Sequence, residues 1–249
     1  MFYGVAPSPE SICGFWNVAD RWFQGMGCPP DKAVIRGLGY GRKWTSFDSA
    51  NSKLESKFFA DITAAAMVCL TPKAKIPSND YLVYAEFSSV FSYISFAART
   101  SILPLSKSTM LPFVRELVDV AKPCYGIVYS RLHSLGPVSY GLGMVQGMGS
   151  GRSESENICG WVDGMSNQVW QKGLLRDVYQ WNFLTKRQLG MQVCECSLEQ
   201  WVAKNDQRGH IEALNDRVSL WEVAETNLEM VRKCLHEAGV IFDRRKHLA

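Results

Sequence analysis

Apolar residues at Ile12, Phe15, Trp16, Ala19 and Phe23 follow the i, i+3, i+4, i+7, i+11 spacing of a single helical face. Ser8 and Pro9 precede them as N-cap and first helical residue, so the pattern predicts an amphipathic helix ending near Gly25 to Gly27. Phe2 to Ala6 reads as a short strand before it. After it, Pro29-Pro30 forces a loop, and a strand follows near Val34 to Trp44, bent by Gly37, Gly39 and Gly41. A polar helix is predicted from Ser49 to Ile62, then a buried strand over Ala64 to Leu70, where helix continuation competes. Tyr81 to Phe87 and Tyr93 to Ala98 are aromatic and β-branched and lie close enough to form a hairpin. Met110, Phe113, Val114, Leu117, Val118 and Ala121 mark a helix that Pro123 stops, and Tyr125 to Arg131 returns as a strand.

Gly136 to Gly151 holds six glycines and reads as the clearest loop, with flanking segments 1–135 and 152–249 as subdivisions of one domain spanning 1–249. Beyond it, Ser153 or Ser155 can cap a helix containing Trp161, Val162, Met165, Val169 and Trp170. The last quarter, Leu174 to Gly239, carries the strongest signals. Ser197 with Gln200 and Thr226 with Glu229 both fit the capping box, in which two side chains satisfy each other's orphan N–H groups. Between them, His210 to Leu214 and Val218 to Val223 flank Asn215-Asp216-Arg217, a hairpin turn composition. Leu228, Val231, Leu235 and Ala238 line the final helix, which Gly239 ends. This order predicts an α+β architecture, a mixed or largely antiparallel sheet with helices packed on it. Tyr3-Gly4-Val5 then Ile12-Cys13-Gly14 is echoed by Tyr125-Gly126-Ile127 then Ile158-Cys159-Gly160, which raises the reading of two related halves.

With 249 residues, 47% apolar and 20% charged, the chain has the makeup of a folded globular protein rather than a disordered one. The net charge of +3 is far from the strongly basic footprint of a nucleic-acid binder. The first residues lack the basic and apolar regions of a signal peptide and no run reaches membrane-spanning length, so a cytoplasmic protein without membrane association is expected. Eight scattered cysteines in a chain this long are expected to be reduced, mostly buried thiols.

Four chemistries can be weighed against this frame. Cys194-Glu195-Cys196, His210 and Cys234-Leu235-His236 supply soft metal ligands, but one residue between the paired cysteines is fewer than structural zinc sites use, so no metal is assigned. Gly141-Leu142-Gly143-Met144-Val145-Gln146-Gly147 has one residue too many for a dinucleotide fingerprint and no Gly-Lys-Ser/Thr ending, so no cofactor is assigned either. Arg36, Tyr40, Arg42, Lys43 and Trp44 interleave basic and aromatic side chains on a predicted strand, a nucleic-acid reading that the charge balance supports weakly. Nucleophile elbows and zinc-protease helices are absent, and Asp177, Glu195 and Glu199 are scattered carboxylates of the kind found on solvated faces. Eight Trp and nine Tyr favour a binding role, since such residues dominate interface hot spots, although Trp16, Trp22, Trp161, Trp170, Trp201 and Trp221 fall where the core is expected.

Pro123-Cys124-Tyr125-Gly126, Gly173-Leu174-Leu175-Arg176-Asp177-Val178-Tyr179 with Asn182-Phe183-Leu184, and Leu220-Trp221-Glu222-Val223 occur in an order that resembles bacterial immunity proteins of polymorphic toxin systems, the immunity protein 52 type. The resemblance covers residues 110–130 and 173–239. It implies a cytoplasmic, non-enzymatic α+β protein that binds and neutralises a cognate toxin, commonly a nuclease. Arg176, Asp177, Tyr179, Trp181 and Asn182 carry the family-like stretch and are its partner-binding candidates. A slight positive charge is the wrong sign for mimicry of nucleic acid, which leaves binding outside a nuclease site or a toxin of another class. The alternative from another class is a small-molecule or nucleotide enzyme with the Gly136 to Gly151 loop as its lid.

Overall fold

The computed structural model describes residues 1–37, 43–56, 61–69, 81–87, 91–132, 136–144 and 160–248. The chain divides into two compact units, one of Val5–Pro123 and one combining Met1–Gly4 with Cys124–Ala249. Strand β1 (Phe2–Tyr3) belongs to the latter.

In the Val5–Pro123 unit, helix α1 (Pro9–Gly25) begins where expected. The Ser8 hydroxyl accepts from the Ser11 N–H at 3.1 Å, and Pro9 takes a position whose missing N–H costs nothing. Its predicted apolar face is buried from Ile12 to Phe23. There follow β2 (Lys32–Gly37), β3 (Thr45–Ser46), α2 (Phe47–Ser56), β4 (Ile62–Cys69), β5 (Tyr81–Phe87), β6 (Ser92–Ala97) and α3 (Lys107–Ala121). The strands run antiparallel in the order β6-β5-β4-β2-β3. Over Ala64 to Cys69 the competition between strand and helix is settled for strand, and Leu70 lies outside the described residues. Pairing with β2 on one side and β5 on the other buries Ala64 through Val68 without alternation, the signature of a strand covered on both faces. The expected hairpin is present as β5 and β6, with Glu86 opposite Tyr93.

The second unit adds β7 (Tyr125–Val128), α4 (Pro137–Gly141), α5 (160–166), β8 (Trp181–Thr185), α6 (Lys186–Leu189), β9 (Gln192–Val193), β10 (Cys196–Ser197), α7 (Leu198–Ala203), β11 (His210–Ala213), β12 (Val218–Glu222), α8 (Leu228–Glu237) and α9 (Arg244–His247). Its sheet is antiparallel in the order β11-β12-β8-β7-β1, and β9 pairs with β10 in a separate hairpin. Both units are therefore antiparallel sheets with packed helices, the α+β class the pattern predicts. Their strand orders differ, β4-β5-β6 forming a meander in one and β8 lying between β7 and β12 in the other, so one topology is not repeated.

The compact units divide at Pro123, where β7 pairs with β1 and β8 and so draws the chain from Cys124 onward into the later unit. Two expectations change. Gly136 to Gly151 is not loop throughout: Pro137 opens α4 after a left-handed Gly136, while 145–151, with Ser153 and Ser155, lies outside the described residues. The Ser197–Gln200 capping box forms, but Thr226–Glu229 does not. A 3-10 turn over Glu225–Asn227 leads into α8, Asn227 takes the cap position, and no side chain caps the helix.

Candidate functional site

The family-like stretch follows a tertiary anchor in which Leu175 bridges to Ile241, the Leu175 N–H donating to the Val240 carbonyl at 3.0 Å and the Phe242 N–H to the Leu175 carbonyl at 2.7 Å. This anchor points the next side chain, Arg176, inward, where only 4% of it remains exposed. Its guanidinium donates to the Gly141 carbonyl at 2.9 Å and to the Tyr140 carbonyl. These are carbonyls of the last turn of α4, where that of Tyr140 also accepts from the Gly143 N–H at 2.9 Å. A cation suits that position because partial negative charge gathers where helical carbonyls point outward.

Tyrosines complete the enclosure. Tyr3 donates through its hydroxyl to the same Gly141 carbonyl at 2.7 Å, and Tyr129 to the Pro137 carbonyl at 2.6 Å. Tyr140 and Tyr179 share a hydroxyl hydrogen bond of 3.1 Å, and the Tyr125 hydroxyl reaches the Asp177 carbonyl at 3.4 Å. The Tyr140 ring carries two cations, Arg176 with its Cζ 4.3 Å and Arg131 with its Cζ 4.1 Å from the centroid. Burial works against the Arg176 charge, yet the oxygens of Tyr179, Tyr3, Tyr140 and Tyr129 outweigh it and raise its pKa above the usual arginine value. Burial raises Tyr3, Tyr125, Tyr129 and Tyr179 above the ordinary phenol value, so all four are neutral hydrogen-bonding groups at physiological pH.

The remaining members of the stretch tie other elements. Asp177 accepts from the Val178 N–H at 2.7 Å and from Arg232 Nε of α8 at 2.7 Å, and the same guanidinium donates to the Val178 carbonyl at 3.3 Å. Asn182 is wholly buried on β8. Its Oδ1 accepts from the Tyr179 N–H at 3.0 Å, and its Nδ2 donates to the Tyr179 carbonyl at 2.6 Å and the Trp221 carbonyl at 3.3 Å. Tyr179 and Trp181 are also buried. Of the five partner-binding candidates, only Asp177 offers appreciable side-chain surface, 20%, and Arg232 occupies part of it. In this fold the stretch ties α4, α8 and the sheet together.

Elsewhere the structure separates what the sequence grouped. Arg36 on β2, Lys43 and Trp44 are exposed, Trp44 at 45%, whereas Tyr40 and Arg42 lie outside the described residues. Cys194 and Glu195 form the β9–β10 turn, Cys234 sits on α8, and His210 opens β11. Among the described residues no three His, Cys, Asp or Glu side chains gather as a metal site. Trp16, Trp22, Trp161, Trp170, Trp201 and Trp221 are all buried, as the core reading expects. The tyrosine enclosure was missed because its members come from four separate segments. The one local signal was an arginine within an apolar run, Leu174-Leu175-Arg176.

These features define an α+β protein with a buried arginine–tyrosine cluster. The fold is similar to that of the Pseudomonas aeruginosa T6SS protein PA0821, with a TM-score of 0.60 and 10% sequence identity over 97% of this chain and 72% of that one. No family model matches the sequence, and no curated protein matches it. No described helix is long and apolar enough to cross a membrane.

Proposed function

We propose that this chain is an immunity-type protein of a toxin-delivery system, a non-enzymatic binder that neutralises a cognate toxin by occupying its surface. The observation that carries this reading is the fold it shares, over 97% of its length, with a protein of a T6SS. The order of short motifs resembling toxin-immunity proteins supports the same reading from the sequence side. The interior supports it physically. A buried arginine that donates to two carbonyls and lies on a tyrosine ring fixes one conformation, and a rigid scaffold avoids the ordering cost that weakens binding by flexible surfaces. The partner is a toxic polypeptide encoded beside this gene, and the contact surface is drawn from exposed side chains rather than from Arg176 to Asn182.

Co-expression provides the test. Inducing the neighbouring gene alone should arrest growth, and inducing it with this chain should restore growth. If no adjacent gene encodes a growth-arresting product, or if the chain accumulates without rescuing growth, the proposal fails.

A further inference from the structure

One end of the later unit's sheet gathers cations from three segments. Thr185 closes β8 opposite Val218, the first residue of β12, so the next step of the ladder brings Lys186 beside Arg217. The Thr185 N–H donates to Gln188 Oε1 at 2.9 Å, a cap that turns the chain into α6 at once and keeps Lys186 and Arg187 at the sheet's end. In its turn α6 is fastened to the 3-10 turn Val169–Lys172. Gln188 Nε2 donates to the Trp170 carbonyl at 3.0 Å and Arg187 Nη1 to the Gln171 carbonyl, which sets Lys172 next in line. Lys172, Lys186, Arg187 and Arg217 are all exposed.

Among the described residues no carboxylate lies within ion-pairing distance of any of these cations. Elsewhere in the unit arginines are paired, Arg232 with Asp177 at 2.7 Å and Glu229 at 2.9 Å, and Arg244 with Asp163 at 2.8 Å. Like charges side by side across a ladder oppose folding, so this end is not arranged for stability. The rings nearest in sequence, Trp170, Phe183 and Trp221, are buried and offer no face on which a base could stack. Asp216, exposed beside Arg217, would repel phosphate. Both features favour a protein surface over a nucleic acid as the occupant.

Granted the immunity-type reading, we propose that this sheet end is the docking surface for an acidic face of the cognate toxin, whose carboxylates accept from Lys172, Lys186, Arg187 and Arg217. A nuclease meets phosphate with cations, so the toxin surface held here is not the nucleic-acid face of a nuclease.

Calorimetric titration of the full chain with the product of the neighbouring toxin gene, at about 50 and about 500 mM salt, provides the test. Binding by the unaltered chain should weaken about tenfold or more at the higher salt. Lys186→Glu with Arg217→Glu should weaken it about tenfold or more at the lower salt while the Tm stays unchanged. Lys233→Glu with Lys246→Glu makes the same change in net charge on α8 and α9, and should bind as the unaltered chain does. Lys172→Glu, on a separate segment, gives the same readout if the double variant unfolds. Equal weakening by the two pairs makes the effect one of net charge and overturns the proposal. So does toxin binding that ignores both salt and the reversal, a result that leaves the immunity-type reading standing. Retention of an RNA or DNA oligonucleotide that the reversal abolishes, with toxin binding intact, assigns the surface to nucleic acid instead. A toxin that does not bind at all removes both readings.

Discussion

Arg176 lies against the face of the Tyr140 ring and donates to the carbonyl of that same residue, so one side chain grips both the aromatic body and the backbone end of α4. With Gly141 as its second acceptor, the guanidinium is a second donor to each carbonyl, Gly141 accepting also from the Tyr3 hydroxyl and Tyr140 from the Gly143 N–H. The charge has been taken out of water for this purpose, and the surrounding phenol oxygens are what make that tolerable.

Removing the guanidinium should therefore cost more than the loss of its packing. Arg176→Ala removes one of two donors from each of the Tyr140 and Gly141 carbonyls and opens a cavity, and we expect a loss of about 2–4 kcal/mol in unfolding free energy by denaturant titration. Arg176→Lys keeps the charge but not the fork that reaches two carbonyls at once, and should recover less than half of the loss. Equal stability of the lysine variant and the unaltered protein would show that charge alone is sufficient.

The tyrosine enclosure sets a limit at alkaline pH. Tyr3, Tyr125, Tyr129 and Tyr179 have folded-state pKa values above the ordinary phenol value, so the unfolded chain releases these protons first as pH rises. Their contribution is fully present below about pH 10 and declines as pH climbs from there toward the folded-state values. Unfolding free energy should be flat for this reason between about pH 8 and pH 9.5 and fall above it, with a late step in tyrosinate absorbance that coincides with unfolding. Ionisation of every tyrosine near pH 10, in a chain still folded, would contradict the burial.

Asn182 should be as intolerant as Arg176 despite carrying no charge. It closes the turn back to Tyr179 on both sides and reaches β12 through the Trp221 carbonyl. Asn182→Ala orphans a buried N–H and carbonyl together, and a loss of about 2–4 kcal/mol is expected from thermal or chemical unfolding. A cost below about 1 kcal/mol would mean that the turn holds without it.

Two glycines with nearly the same backbone angle allow space and conformation to be separated. Gly4 has φ +68, and a Cβ there would lie 2.6 Å from Trp170 Nε1 and 2.8 Å from Cys124 Cβ. Gly27 has φ +67 and nothing within 4 Å. Gly27→Ala should cost about 1 kcal/mol for the left-handed conformation alone, and Gly4→Ala about 2–4 kcal/mol because packed side chains must also move. Equal costs at the two sites would remove the steric part of the argument.

The sequence was legible where local chemistry decides the outcome. Ser8 with Pro9, the Ser197–Gln200 box and the Asn215 turn all act within a few residues, and each forms as expected. Legibility fails where partners are distant. Ala64 to Val68 is a strand because β2 and β5 flank it, although alanine by itself favours helix. Thr226 lost the cap because the preceding residues enter a 3-10 turn, which moves the helix start by one position. Arg176 shows the same dependence on distant partners. An arginine reads as surface until its acceptors are known, and Gly141 lies 35 positions away in sequence.

Under the proposed function the interior of the later unit is a scaffold and binding falls to the surface it displays, so direct binding is the most immediate test. Purified chain should be titrated against the purified product of the neighbouring toxin gene by calorimetry, with the complex confirmed by size-exclusion chromatography. The account predicts a saturable complex of fixed stoichiometry in which the toxin loses its activity. Two folded proteins that show neither heat of binding nor co-elution, with toxin activity undiminished, would contradict it.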